Sequence, residues 1–432
     1  MRQLSLFRLI FRATRWLRRR LTPAGEVLVA LTLFAAAFGL DTEANAAHQL
    51  FSMGVALLLL DAIGVAIAVR HTPPQLAAQR WLPEFFTDGE ACAYRIEIRN
   101  LGAQTLPPLT LVEELRQPWP TLTELRRQRG KQRLGYPAFI AAMRRLRVID
   151  MTPIALPALL PGQTLTRKVD AQPTARGRAG FDRLVVDVRG PLGLVVRQIA
   201  VTVAPALLTV LPARRRVELP PAGGRRQRQP GGIALAQHVG DSEEFRSLRD
   251  YRPGDPLRTI HWRSFARTGK LLVREFQEEF FARHALMLDT AWADVPVARF
   301  EAAVSVAAGL VLRPREADSL LDLLFVADGV HCLTAGRGLG SAAGLLRVLA
   351  GVTPGAAETL TPLLDSVLHH ARKTSSLVVI LLTWDAARED AVRRLLATGS
   401  RVTVFVLDGD QSMTPDATLR WAGIVQPLAV AT

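Results

Sequence analysis

Two apolar stretches set the first seventy residues apart from the rest of the chain. Ala24–Leu40 has 17 residues and Leu50–Val69 has 20. As helices rising ~1.5 Å per residue they would be about 26 and 30 Å long, near the thickness of a bilayer core. The connector Asp41–Ala47 is short and holds Asp41 and Glu43. This pattern predicts a two-helix transmembrane hairpin over residues 24–70. Arg2, Arg8, Arg12, Arg15, Arg18, Arg19 and Arg20 precede it with no acidic residue among them, and Arg70, His71 and Arg80 follow it. Cationic flanks at both outer ends place both ends of the hairpin in the cytoplasm. Residues 1–23 then read as a basic cytoplasmic N-terminus, and everything after the hairpin is expected inside. A cleaved signal peptide competes, because Arg-rich, apolar and Ala-Asn-Ala segments occur in that order. The second apolar stretch would still anchor the chain. Asp61 falls inside that stretch, where a carboxylate without a partner is costly. It reads as a helix-contact or oligomer residue; a proton pathway is disfavoured, since no second acidic residue shares the hairpin core.

Beyond the hairpin the pattern changes twice. Over residues 73–212 short β-type runs (Tyr94–Ile98, Leu184–Val188, Leu194–Val203) are broken by Pro and Gly clusters, which predicts a β-sandwich. A basic insertion over 122–148 interrupts it, with Arg126, Arg127, Arg129, Lys131, Arg133, Arg144, Arg145 and Arg147. Phe139, Ile140, Met143 and Leu146 recur there at helical spacing, so an amphipathic basic helix is expected, either packed on the sandwich or touching the membrane surface. Residues 213–283 open with a Pro/Gly/Arg-rich linker, Pro212–Gly232. From residue 284 strands alternate with helices. Strands are expected at Ala285–Asp289, Leu320–Ala327, Leu377–Thr383 and Val402–Leu407, and helices near Val297–Leu312, Gly340–Leu349, Leu360–Ala371 and Ala386–Ala397. That alternation predicts a doubly wound α/β domain over 284–432 with a mostly parallel sheet. Ligands of such sheets bind at the carboxyl ends of the strands, where Asp289 and Asp385 fall.

Charge narrows the partners only in part. Lys and Arg number 54 against 39 Asp and Glu, a formal net charge of +15. Such an excess suits anionic lipid headgroups, nucleic acid or an acidic protein partner, and composition alone does not choose among them; no nucleic-acid partner is expected. Cys92 and Cys332 are the two cysteines, not spaced as a metal pair, and they suggest a reducing compartment.

The most informative stretch is Glu243–Glu279, EEFRSLRDYRPGDPLRTIHWRSFARTGKLLVREFQEE. Pro253-Gly254-Asp255 is a turn signal. Around it Arg249, Arg252, Arg258, Arg263 and Arg267 alternate with Asp250, Asp255, Glu275 and Glu278, while Tyr251, Trp262 and Phe265 are expected as buried anchors. An ion pair between Arg258 and Asp255 is expected to lock this segment. The run closely resembles the hallmark of the bacterial and archaeal family called domain of unknown function 58. Arg249, Tyr251, Gly254, Asp255, Arg258, Trp262, Arg267, Arg274 and Glu275 are among the matching positions, with the Gly-Pro-Leu-Gly-Leu turn at 190–194 a further one. The resemblance implies a von Willebrand factor A-like C-terminal domain and a MoxR-type AAA+ ATPase as partner, since family members are typically encoded beside one.

Domains of the von Willebrand A type can hold Mg²⁺ through an Asp-x-Ser-x-Ser motif after the first strand, with Thr and Asp from later loops. Here that stretch reads Asp289-Thr290-Ala291-Trp292-Ala293. Asp289 is kept and both serine positions are Ala, leaving Asp289, Thr383 and Asp385 (with Asp294 nearby) as metal candidates. No cofactor is expected. Neither a Walker A sequence, HExxH, a CxxC pair nor Gly-x-Ser-x-Gly occurs. His369-His370 read as a surface pair, Gly336–Gly340 as a loop, and His261 as structural. The expectation is a non-enzymatic, membrane-anchored binding or scaffold protein of the bacterial inner membrane, with cytoplasmic domains, acting with a MoxR-type ATPase in envelope-related assembly or maturation. The alternatives are a metal-dependent ligand-binding domain using Asp289 and Asp385, and a hydrolase with a site around Asp255 and His261.

Overall fold

The computed structural model describes residues 2–39, 45–116, 118–121, 125, 135–217, 229–230, 244–255, 257–277, 280–281, 283–291, 296–313, 319–327, 329–336, 339–355, 360–371, 374–407 and 425–427. Its contacts divide the chain into two compact units, one essentially residues 1–213 and the other essentially 214–432.

The first unit opens with three helices, α1 (Arg2–Arg20), α2 (Pro23–Gly39) and α3 (Asn45–His71). The basic N-terminus is thus a helix rather than an unstructured flank. Thr22 starts α2: its hydroxyl accepts the Gly25 N–H at 3.1 Å, with Pro23 in the first turn and Glu26 favoured by the helix dipole there. One described helix, residues 46–71, is long and apolar enough to cross a membrane, and residues 23–37 form a shorter apolar one. The acidic half of their connector lies outside the described residues. The helices approach closely, since a side chain at Gly54 would collide with Thr32.

Two β-sheets follow. One pairs β1 (Leu76–Trp81), β3 (Cys92–Asn100), β7 (Thr164–Pro173) and β5 (Ile149–Met151), in the order β1-β3-β7-β5. The other runs β2 (Phe85–Thr87), β10 (Ala206–Leu211), β8 (Gly177–Arg189), β4 (Leu109–Arg116), β6 (Ile154–Leu156), with β9 (Val196–Val201) also paired to β8. Alternating positions of both sheets, among them Ile96, Ile98 and Val169 from one and Leu111, Phe181, Leu184 and Val210 from the other, share a single core. Inside it the Tyr94 hydroxyl donates to Glu113 at 2.9 Å, and Arg80 grips the same carboxylate at 2.5 and 3.3 Å. Burial pushes the Glu113 carboxyl up, against the pull of Arg80 and Tyr94. The basic insertion does form a helix, α4 (Tyr136–Arg145). Its apolar face packs: Phe139 and Met143 are buried with Leu4 of α1, and Phe7 and Phe11 lean on them.

In the second unit β11 (Gln229–Pro230) pairs with β14 (Phe280–Phe281), and β12 (Glu244–Asp250) with β13 (Leu272–Gln277). Then comes a six-stranded sheet of β15 (Arg283–Leu288), β16 (Leu320–Val326), β17 (Val330–Ala335), β18 (Ser376–Leu381), β19 (Arg401–Val406) and β20 (Val425–Pro427). Its order is β17-β16-β15-β18-β19-β20, parallel except for β17. The order reverses at β15, as in doubly wound sheets. Between the two signature-motif strands lies α5 (Trp262–Thr268); α6 (Val297–Val311), α7 (Ala342–Gly351), α8 (Leu360–Ala371) and α9 (Ala386–Leu396) alternate with the sheet strands. Ala285 and Met287 share one core with α8 and α9. Residues of a strand alternate between faces, so Leu286 and Leu288 meet α6 on the other side.

Candidate functional site

The signature motif folds as a hairpin carrying a compact insertion. Leu248, Arg249 and Asp250 stand opposite Arg274, Val273 and Leu272. Above that register the chain turns at Arg252–Asp255, closed by the Asp255 N–H donating to the Arg252 carbonyl at 3.0 Å. Pro253 suits the second position of this turn, and Gly254 at φ 106° takes a backbone that residues with a side chain rarely adopt. Ile260 bridges back to Val273, and both are buried. The short helix α5 then ends on Gly269, whose N–H donates to the Phe265 carbonyl at 2.9 Å.

Asp255 is held by a two-pronged contact. Arg249 donates from both guanidinium nitrogens at 2.7 and 2.7 Å, and the Arg252 N–H adds a third bond at 2.9 Å. The Arg249 hydrogen bonds, then that of the Arg252 backbone, hold the carboxyl at about 2. The expected Arg258–Asp255 pair is therefore corrected: Asp255 is taken by Arg249, and Arg258 is exposed. Arg249 lies on β12 before the Arg252–Asp255 turn, whereas Arg258 lies beyond it. The expectation of buried aromatic anchors is corrected as well. Trp262 is 58% exposed and Phe265 38%, packed edge to face at 6.2 Å; Tyr251 is half-buried. Ile260 and Val273 supply the buried mass instead, so α5 projects its rings outward. Leu257, Arg258, Arg263, Arg267, Lys270 and Leu271 are exposed on the same insertion. The side chains of Arg274 and Glu275 lie outside the described residues. His261 sits at the start of α5 with Nδ1 2.6 Å from the Ser264 hydroxyl.

The second cluster lies at the carboxyl edge of the parallel sheet. Asp289 follows β15 and is fully enclosed. Its carboxylate accepts the Ala291 N–H at 2.9 Å, the Leu382 N–H at 3.3 Å and Arg388 Nε at 2.8 Å. Asp385 caps α9, accepting the Arg388 N–H at 2.8 Å, and also binds the Arg388 guanidinium. Arg388 is itself buried. Burial works against its charge, but Asp289 and Asp385 outweigh burial and raise its pKa. The two carboxylates picked out as metal candidates are thus brought together, and a guanidinium stands between them. Thr383 is half-buried nearby in sequence, and Asp294 lies outside the described residues. Among the described residues no group of three His, Cys, Asp or Glu is arranged as a metal-ligand cluster. Arg388 was missing from the sequence reading; the available signal was an Asp-x-x-Arg start to a helix aimed at the end of the first strand.

Of the remaining candidates, His369 and His370 pack edge to face at 5.7 Å, and His370 is bonded to the Ser366 carbonyl of its own helix at 2.8 Å. Asp61 is fully enclosed and accepts three main-chain N–H groups, from Leu192 at 2.6 Å, Leu194 at 2.8 Å and Val195 at 2.7 Å. Its contact is with the Gly190–Leu194 turn between β8 and β9.

No curated protein matches this chain. Among solved structures, the CARDB domain of a Pyrococcus furiosus protein is 15% identical over 30% of this chain and 93% of that domain, with a TM-score of 0.17. A Salmonella alpha-2-macroglobulin mutant is also 15% identical, over 32% of this chain but 7% of its own, with a TM-score of 0.17. At such scores neither carries an argument. The family model described as Protein of unknown function DUF58 matches residues 247–419, a span that starts inside β12 and ends beyond β19.

Proposed function

We propose that this chain is a membrane-anchored binding or scaffold protein whose signature motif docks a MoxR-type AAA+ ATPase in envelope-related assembly or maturation. One observation carries the reading: the motif spends its ion pair, Arg249 with Asp255, on rigidity and turns Trp262, Phe265 and Leu257 outward among Arg258, Arg263 and Arg267. Exposed aromatic and Arg side chains on a stiff support are the composition of interface hot spots. Cationic neighbours suit an acidic partner surface. In this reading α2 and α3 form a two-helix hairpin in the bacterial inner membrane, with both soluble units in the cytoplasm. The apolar character of α2 and α3 and the arginines flanking them support that placement. The 284–432 domain is taken as von Willebrand factor A-like, supported by a doubly wound strand order and by Asp289 at the carboxyl end of the central strand.

The test is binding of the full-length protein, in lipid nanodiscs, to the purified MoxR-type ATPase of the same genome. Trp262→Ala is expected to lose binding while retaining the wild-type melting temperature. Equal binding by both proteins overturns the docking role of the motif. Against the metal-dependent alternative stands Arg388, whose charge already occupies the space between Asp289 and Asp385. The hydrolase alternative would need Asp255 to assist His261, and Asp255 is engaged by Arg249.

A further inference from the structure

α1 has two apolar faces. Leu4, Phe7 and Phe11 form the inner one, against Phe139, Tyr136 and Trp119. At 100° per residue, Leu6, Leu9, Ile10, Ala13, Trp16 and Leu17 gather on the opposite side of the helix. All six are exposed, Leu9 by 64% and Trp16 by 61%. A contiguous apolar strip of this kind on a basic helix is unusual on a surface that faces only water. Arg12 and Arg20 are exposed beside it, and the Arg20 guanidinium lies over the Trp16 ring at 5.6 Å.

The position of the helix in the fold identifies what covers the strip. α1 passes into the apolar helix α2 through Leu21 and Thr22. That joint is pinned to the β8–β9 turn: Leu21 bridges Val195, the Thr22 N–H donates to the Leu194 carbonyl at 2.9 Å, and the Thr22 hydroxyl donates to the Gly193 carbonyl at 2.6 Å. The same turn donates to Asp61 of α3. The turn therefore pins both apolar helices to the β-domain, and α1 departs from that same point.

We infer that α1 is an interfacial helix, its outer strip seated at the acyl boundary of a phospholipid bilayer and Arg12 and Arg20 reaching lipid phosphates. This rests on the reading of α2 and α3 as membrane-embedded. Trp, Leu and Arg in this arrangement are the chemistry of helices lying in a membrane surface.

The experiment uses the full-length protein in vesicles of phosphatidylglycerol and phosphatidylcholine, with acyl chains brominated near the headgroup end as a tryptophan quencher. Wild type is expected to be quenched, and Trp16→Phe to lose most of that quenching while its carbonate resistance is unchanged. A Leu6→Asp, Leu9→Asp double variant, with Trp16 kept, is expected to lose it too. Carbonate-resistant protein whose quenching is the same with and without Trp16 overturns the inference alone, and points to a protein partner or second copy over the strip. Protein released by carbonate overturns the anchor reading and this inference with it.

Discussion

Asp61 of α3 accepts the Leu194 N–H at 2.8 Å, joining the middle of an apolar helix to a turn of the β-domain 133 positions away in the chain. The approach depends on small residues. A side chain at Gly190 would collide with the Asp61 carboxylate, and one at Gly25 with the Leu194 carbonyl. The Gly-Pro-Leu-Gly-Leu turn is therefore a socket for the helices rather than a simple hairpin connection. Asp61 sits ten residues before the end of α3, so roughly 15 Å of that helix runs on past the socket.

Removing the carboxylate would leave three partly buried N–H groups without their acceptor, each at up to about 1–3 kcal/mol. Asp61→Ala is expected to lower the unfolding temperature of the full-length protein in detergent and to speed proteolysis of the Gly190–Leu194 turn. Asp61→Asn keeps the volume and one acceptor and is expected to fall between. Unchanged stability in Asp61→Ala would assign the residue some role other than this clamp.

The proposed topology is tested in the same region. Reporter fusions placed after Pro73 are expected to signal from the cytoplasm, and fusions within Asp41–Ala47 from the outside, because arginines flank both outer ends. An extracytoplasmic signal from a fusion at Thr432 would reverse the orientation.

The α/β elements were legible because their strands are buried on both faces and read as continuous apolar runs. Leu320–Val326 and Ser376–Leu381 fall within two residues of their expected ends. The antiparallel edge strand Val330–Ala335 was not, since its first three residues are exposed and carry no alternation. α1 was hidden by its arginines, which mask a helical period that runs on two faces instead of one. In the motif the residue types could be read but not their partners. Whether Arg249 or Arg258 reaches Asp255 depends on how the chain reverses over Pro253-Gly254, and whether Trp262 is buried depends on which side of α5 meets β13. The socket for Asp61 is a long-range contact that local pattern does not encode.

Arg388 makes a sharper demand on the carboxyl edge of the sheet. Arg388→Ala would leave Asp289 enclosed and unpaired, a loss of about 3–5 kcal/mol. The full-length protein is expected to give a flat calorimetric titration with Mg²⁺ or Mn²⁺, because the guanidinium already neutralises the two carboxylates. Saturable binding that disappears in Asp289→Ala would instead establish the metal-dependent alternative.

The last prediction separates rigidity from docking inside the signature motif. Asp255 has its carboxyl depressed to about 2 by Arg249. An unfolded Asp titrates near ~3.9, so the stabilisation from this pair is fully present above that pH and is lost as pH falls through about 2. Wild type and Asp255→Asn are expected to differ in unfolding temperature at neutral pH and to converge as pH drops from about 4 towards 2. The difference should be small, since the pair is partly solvated and surface ion pairs contribute little. Trp262 contributes by another route. Being more than half exposed, it has little burial to lose, so Trp262→Ala should leave the unfolding temperature nearly unchanged at every pH. Under the docking proposal its effect is expected in partner binding, where truncating a central aromatic would remove a contact made only in the complex. A marked fall in unfolding temperature for Trp262→Ala, with partner binding intact, would return the ring to the core and remove the main support for a docking motif.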